Sequence, residues 1–228
     1  MNDEWNGYEQ LGKCLYKVDY DETQMLNNYT WASNYLKNDQ STSNFGCSAI
    51  TVRTNDNTYF GRNLDWFDNK RFDFIIHTDS KANSNIINPQ ESTYEVLGVA
   101  AIDGLEPANV GDYSNEKFRL LPFYLQDGVN SAGVFCCVNV VHRHEGETPG
   151  GDQAAKTWCT TMLPRLILDN FGTARSAVDY LCSDEIKRTI FLPNRLTNLD
   201  YSVHFMIGDD TQTYVLEFVS DGIRWYIQ

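Results

Sequence analysis

Two β-rich runs, Gly46-Cys47-Ser48-Ala49-Ile50-Thr51-Val52-Arg53 and Thr58-Tyr59-Phe60-Gly61-Arg62-Asn63-Leu64-Asp65-Trp66, flank an Asn/Asp cluster at 54–57. Polar turn formers between such runs predict a hairpin with its tip at the cluster. Upstream, Thr23 to Leu36 sets Met25, Leu26, Tyr29, Ala32, Ser33 and Leu36 on one side at helical spacing, which predicts an amphipathic helix. Asp39 to Asn44 reads as a polar linker. Downstream, Phe72 to His77 and Tyr94 to Ile102 are runs of strand length, separated by an Asn- and Ser-rich loop from Asp79 to Ser92. Asp103 to Asn115 is a further loop. Asp127 to Gly133 reads as a turn that feeds a buried strand, Val134 to Val141.

Two helices are predicted next. Ala154 to Leu168 carries Ala155, Trp158, Cys159, Met162 and Leu166 on one face, with a kink expected at Pro164. Thr173 is the expected N-cap of the second, where Ala174, Ala177, Val178, Leu181 and Cys182 recur at helical spacing. Tyr201 to Ile207 then alternates cleanly, and Thr213 to Val219 and Ile223 to Ile227 continue an antiparallel meander. The pattern alone specifies an α+β chain with antiparallel sheet. Phe72, Phe74, Tyr94 and Tyr113 read as core or rim, and His77 and His204, set in apolar runs, as satisfied core residues.

Composition narrows the partners. The 228 residues fit one domain, or one domain with an extension, and 42% hydrophobic and 13% aromatic content argues for a packed core rather than disorder. A formal net charge of −13 without basic clusters disfavours nucleic acid and anionic membrane surfaces. No apolar run is long enough to span a bilayer and no leader pattern opens the chain, so a cytoplasmic location is expected. Self-association into a homo-oligomer is left open. Cys14, Cys47, Cys136, Cys137, Cys159 and Cys182 lack zinc-type spacing, and their apolar settings point to reduced core thiols rather than a disulfide framework. His142, His144 and Glu145 could face one side of a strand, but the Gly- and Pro-rich stretch after them favours a solvated rim over a metal site.

The hairpin carries the candidate chemistry. Folded back on itself, it brings Cys47 near Arg62 and Asp65. A thiolate is the attacking form of cysteine, and a neighbouring cation favours it. No histidine is placed locally as a base. The remaining candidate is the cysteine's own α-amine, whose unperturbed pKa of about 7.7–8.0 suits a general base near neutrality. That amine exists only if the Gly46–Cys47 peptide bond is cut. The other reading of Cys47 taken alone is a buried, inert thiol.

Cys47-Ser48-Ala49-Ile50 followed by Tyr59-Phe60-Gly61-Arg62-Asn63-Leu64-Asp65-Trp66 resembles the choloylglycine hydrolase family, the linear amide C-N hydrolases that include bile salt hydrolases and penicillin V acylases. The resemblance implies a four-layer αββα N-terminal-nucleophile sandwich over residues 47–228, with Cys47 as nucleophile and amine base and Arg62 and Asp65 as its partners. Residues 1–46 are then a helical pre-segment or a propeptide that covers the site until cleavage. In that family a turn like 127–133 precedes a strand bearing an asparagine or tyrosine that stabilises the oxyanion. Counted from Gly133, Val140 takes that position and Asn139 falls one residue before it. Asn139, the polar residue of the run, is favoured as oxyanion donor, against a structural hydrogen-bonding role. The family pattern continues beyond the Phe205–Tyr226 meander with a further asparagine and an arginine that have no counterpart here, so the fold is expected to be incomplete at its C-terminus. The implied activity is hydrolysis of a small-molecule amide such as a conjugated bile acid, a penicillin V-like amide or an N-acyl amide, with neither metal nor organic cofactor. The alternatives are an inactive or unprocessed member that binds small molecules, and acyl transfer to an amine instead of water.

Overall fold

The computed structural model describes residues 8–12, 15–21, 29–37, 45–66, 72–80, 87, 93–102, 105–142, 157–193, 201–219 and 222–227. In chain order the strands are β1 (Tyr8–Gly12), β2 (Leu15–Tyr20), β3 (Phe45–Arg53), β4 (Thr58–Trp66), β5 (Phe72–Thr78), β6 (Val96–Ile102), β7 (Leu125–Asn130), β8 (Phe135–His142), β9 (Trp158–Cys159), β10 (Ile190–Phe191), β11 (Tyr201–Gly208), β12 (Thr213–Val219) and β13 (Gly222–Ile227). The α-helices among the described residues are α1 (Tyr29–Lys37), α2 (Glu116–Leu120), α3 (Leu163–Asn170) and α4 (Ala174–Leu181).

Nine strands form one sheet in the order β1-β2-β5-β6-β7-β8-β11-β12-β13, and β3 and β4 pair separately as a hairpin. The predicted meander is β11-β12-β13, antiparallel throughout, and β8 pairs antiparallel with β11 beside it. The β2–β5 pairing is parallel. The chain is therefore α+β and sheet-rich.

Alternation along each strand divides the sheet into two faces. One carries Tyr16, Val18, Tyr20, Phe74, Ile76, Cys136, Val138, Val203, Phe205, Ile207, Tyr214 and Leu216, all in a single core with helices α1, α3 and α4. Helix α3 approaches closely because Gly128 has no side chain, since a Cβ there would lie 2.9 Å from Leu168 Cδ1. The opposite face meets the hairpin through a small cluster of Phe135, Cys137, Met206, Ala49 and Phe60, with the Phe60 and Phe135 rings stacked at 4.7 Å. Helix layer, large sheet and hairpin layer thus follow the α, β, β order of the expected sandwich. Among the described residues no helix covers the hairpin's outer face, where Ile50, Val52 and Tyr59 are exposed.

Several sequence expectations are revised. The segment before Cys47 contributes two strands as well as a helix, and Tyr16, Val18, Tyr20, Tyr29, Ala32 and Leu36 lie in the main core. Helix α1 therefore packs on the sheet face opposite the hairpin and does not cover Cys47. The expected linker at 39–44 lies outside the described residues, as do residues 143–156 with the His144 and Glu145 rim. Pro164 does not kink a long helix: it sits in the first turn of α3, where its missing N–H costs nothing, and the residues before it form a short strand and a 3-10 turn. Thr173 caps α4, its side chain accepting from Ser176 N.

His77 is not a core residue. It is half-buried on the hairpin-side face of β5, with Nδ1 3.0 Å from Asp19 and Nε2 2.7 Å from Glu95. Among the described residues five cysteines are free thiols, three of them buried. No described helix is long and apolar enough to cross a membrane.

Candidate active site

The hairpin closes where the Asn/Asp cluster predicts. Thr54 N donates to Asn57 O at 2.8 Å, and Asn57 N returns to Thr54 Oγ1 at 3.0 Å. The tip is pinned to the sheet by Arg53, which donates to Asp209 O and Thr213 Oγ1. Thr51 reaches Met206 Sδ at 3.4 Å. The residues Cys47, Ala49, Thr51 and Arg53 alternate onto the inner face of β3, and Phe60 and Arg62 onto the inner face of β4.

Register sets the contacts at the other end. Cys47 lies opposite Leu64, Ala49 opposite Arg62, and Gly46 opposite Asp65. Arg62 is therefore the diagonal neighbour of Cys47 on the inner face, and its Nη2 donates to Cys47 Sγ at 3.4 Å. Asp65 is placed by its backbone, one step beyond the Cys47–Leu64 pair.

Arg62 is held by the sheet beneath. Nη2 also donates to Val138 O at 2.6 Å, and Nη1 donates to Asp127 Oδ2 at 3.0 Å. The guanidinium is almost fully buried, its side chain 3% exposed, and Nε has no partner. Asp127 escaped the sequence reading because Asp-Gly and Asn-Ser look like turn residues. In the structure Asp127 to Asn130 belong to β7, and the turn comes only at 131–134. The available signal was an acid two residues from an exposed valine within a pairable run. Burial pushes the Asp127 carboxyl up from its ordinary pKa, and Arg62 opposes that shift.

Asn139 shares the hairpin-side face with Phe135 and Cys137, because β8 alternates without a bulge. Val140 points into the helix-side core. The two-face geometry thus presents Asn139, not Val140, to the layer that carries Cys47. Asn139 is buried, and its Nδ2 lies 3.6 Å from Cys137 Sγ while Oδ1 has no partner. Asn130 supplies the contrast. Its Nδ2 donates to Leu168 O and Phe171 O, and its Oδ1 accepts from Ala132 N and Val134 N. A buried amide in a structural role looks like Asn130; Asn139 leaves capacity unused.

The surrounding groups are tuned by burial. The Cys137 thiol is pushed up to about 11 by desolvation, and that of Cys136 well above its usual range. Both stay protonated at neutral pH. His204 lies opposite Asn139 across β8–β11 and opposite Glu217 across β11–β12. It is half-buried on the hairpin-side face rather than in the core. Burial lowers its pKa, and Glu217 opposes that effect. No set of three His, Cys, Asp or Glu side chains able to hold a metal ion occurs among the described residues.

Residues 47–228 match the model of the linear amide C-N hydrolases, choloylglycine hydrolase family. No curated protein matches the chain. Among solved structures, the chain is similar to the penicillin V acylase of Agrobacterium tumefaciens, with 14% identity and a TM-score of 0.39 over 64% of this chain and 38% of that one. It is also similar to a mutant conjugated bile acid hydrolase of Clostridium perfringens, with 18% identity and a TM-score of 0.48 over 79% of this chain and 50% of that one. A second variant of that hydrolase aligns at 19% identity and a TM-score of 0.38, over 64% and 39%. The chain spans half or less of the length of each of these.

Proposed function

The chain belongs to the choloylglycine hydrolase family of linear amide C-N hydrolases, and on that premise we propose that it hydrolyses a linear amide with Cys47 as nucleophile. The observation that carries this reading is the Arg62 Nη2 to Cys47 Sγ contact of 3.4 Å, which puts a buried cation against the sulfur. The contact places the guanidinium where it faces the attacking atom.

In this mechanism the Gly46–Cys47 peptide bond is hydrolysed first, leaving a Gly46 carboxylate and a Cys47 α-amine. The amine takes the thiol proton as Sγ attacks the acyl carbon. Asn139 Nδ2 and a backbone N–H stabilise the tetrahedral oxyanion, a contribution of about 100- to 1,000-fold per donor in comparable sites. The C–N bond then breaks as the amine returns the proton to the leaving nitrogen, and a thioester remains. Water attacks the thioester, releasing the acid and restoring the thiol. Asp65 holds the amine. Leu97 and Val129, exposed apolar neighbours in the β6–β7 register, lie on the same sheet face as Asp127 and offer an apolar acyl group a surface to rest on. Conjugated bile acids, penicillin V-like amides and N-acyl amides are the candidate substrates.

A second reading rests on the position of the scissile bond. Gly46–Cys47 lies inside the continuous strand β3, both residues paired across the hairpin, which favours an unprocessed, small-molecule-binding member. N-terminal sequencing and intact mass after prolonged incubation separate the two. A new terminus at Cys47, with amide hydrolysis lost in Cys47→Ser, is the expected result. An uncut chain that binds amides without turning them over would replace the hydrolase with the binding protein.

A further inference from the structure

Among the described residues the guanidinium of Arg62 has three partners, and each fixes a different degree of freedom. Val138 O and Asp127 Oδ2 hold Nη2 and Nη1, at 2.6 and 3.0 Å, and together they set the plane of the rigid fork. With the plane set, Nη2 has one direction left, toward Cys47 Sγ. Val138 is a backbone acceptor that any sequence would supply. Asp127 is a side chain placed there by β7, 65 residues further along the chain than Arg62, and its own side chain is only 18% exposed. A partly buried carboxylate beneath a catalytic layer needs a reason, because desolvation works against its charge.

We propose that Asp127 is a positioning residue, anchoring Nη1 so that the Arg62 guanidinium faces the Cys47 sulfur. This deepens the hydrolase reading and rests on it only for its purpose. The geometry it describes concerns the uncut chain as well. Asp127 has two effects of opposite sense. As an acceptor it keeps the cation in place, which favours the thiolate; as a counter-charge behind the guanidinium it weakens the cation's pull on the sulfur. The titratable or charged groups described on this face are Arg62, Asp127, Cys137 and His204 on β4, β7, β8 and β11, with Lys17, Asp19, Asp73 and His77 on β2 and β5 and Glu217 and Arg224 on β12 and β13.

Substitution separates the two effects. Asp127→Asn and Asp127→Ala remove the same charge, but only Asn keeps an oxygen that accepts from Nη1. The measurement is the pH profile of Cys47 alkylation by iodoacetamide, read by mass spectrometry on the peptide containing Cys47, with cut and uncut forms counted separately. Alkylation near neutrality is expected to be slower for Asp127→Ala than for Asp127→Asn by about 3- to 10-fold, because the unanchored guanidinium no longer faces the sulfur. In an Arg62→Ala background the two variants should coincide. Should Asp127→Ala fail to fold, Asp127→Val, also acceptor-free and suited to a strand, takes its place. Coincident profiles for the folded Asn and acceptor-free variants would overturn the assignment, as would a difference that survives removal of Arg62. Because the uncut peptide is read on its own, failure of cleavage or of amide turnover leaves this result standing by itself.

Discussion

The two faces of the nine-stranded sheet are built from the same strands to different ends. The helix-side face is one continuous apolar core, and even its charged residues are turned inward on each other: Arg165 and Asp169 of α3 form a fully buried ion pair that Tyr29 of α1 joins through a hydrogen bond to the carboxylate. Burial raises the pKa values of both Tyr29 and Asp169. Among the described residues the hairpin-side face has a five-residue apolar cluster, and around it lie Arg62 with an unpaired Nε, Asn139 with an unpaired Oδ1, a half-buried His204 and Asp127. Packing density holds the fold together on the first face, where Thr78 and Thr160 also leave buried hydroxyls unpaired; the second differs in carrying its unpaired atoms on a cation and an amide in the layer of Cys47. Cys47 lies with the second.

Adjacent residues of one strand provide the most forceful test of that contrast. Phe205 and Met206 of β11 point to opposite faces, both buried. Phe205→Ala should destabilise by about 3–5 kcal/mol, and Met206→Ala by about 2 kcal/mol, the lower end for such truncations, because the small cluster can collapse around the gap. Urea unfolding of the two variants measures both. An equal loss from Met206→Ala would mean that the hairpin is packed as tightly as the helices, and the contrast would fail.

A smaller effect with a sign attached comes from Arg62→Ala. Asp127 then loses its cation while still largely desolvated, so its folded-state pKa, already raised, rises further. A carboxyl with a raised folded-state pKa favours the folded chain at low pH and loses that contribution as the pH climbs through the folded value. The substitution should therefore cost about 1–3 kcal/mol near pH 7.5 and less at pH 5. Adding Asp127→Asn should remove most of the pH dependence. A cost independent of pH would show that the pair is solvated and not part of the buried layer.

What the sequence disclosed and what it hid follow the range of the interactions. The hairpin, its turn and the meeting of Cys47 with Arg62 were legible because all depend on neighbours within about twenty residues and on a side-chain period of two. The Thr173 cap was legible for the same reason. Asp127 was not, since Asp-Gly is a turn signal locally, and here its glycine answers to the close approach of Leu168, 40 residues away, and its acid to Arg62. The strand β2 offered a clean alternation, Tyr16, Val18 and Tyr20 inward, but its parallel partner β5 lies beyond any local pattern. His77 was misread because an apolar run conceals which of its residues face away from the core. The one-residue ambiguity between Asn139 and Val140 was a question of face, and a face is decided by what packs on each side.

The gentlest perturbation concerns the outer surface of the hairpin. Ile50 is 60% exposed, Val52 46% and Tyr59 57%, side by side on the layer whose inner surface carries Cys47. Exposed side chains that pack against nothing change stability little, so Ile50→Ser and Val52→Ser should each shift unfolding by less than about 0.5 kcal/mol. Neither should alter Cys47 alkylation, because Ser48, Ile50 and Val52 alternate away from Arg62. A loss above about 1 kcal/mol would mean that other parts of the molecule cover this surface, and that the hairpin is an inner layer with two packed faces. In that case the contrast between the sheet's two sides would hold only for the polar groups around Cys47 and no longer for the packing that surrounds them.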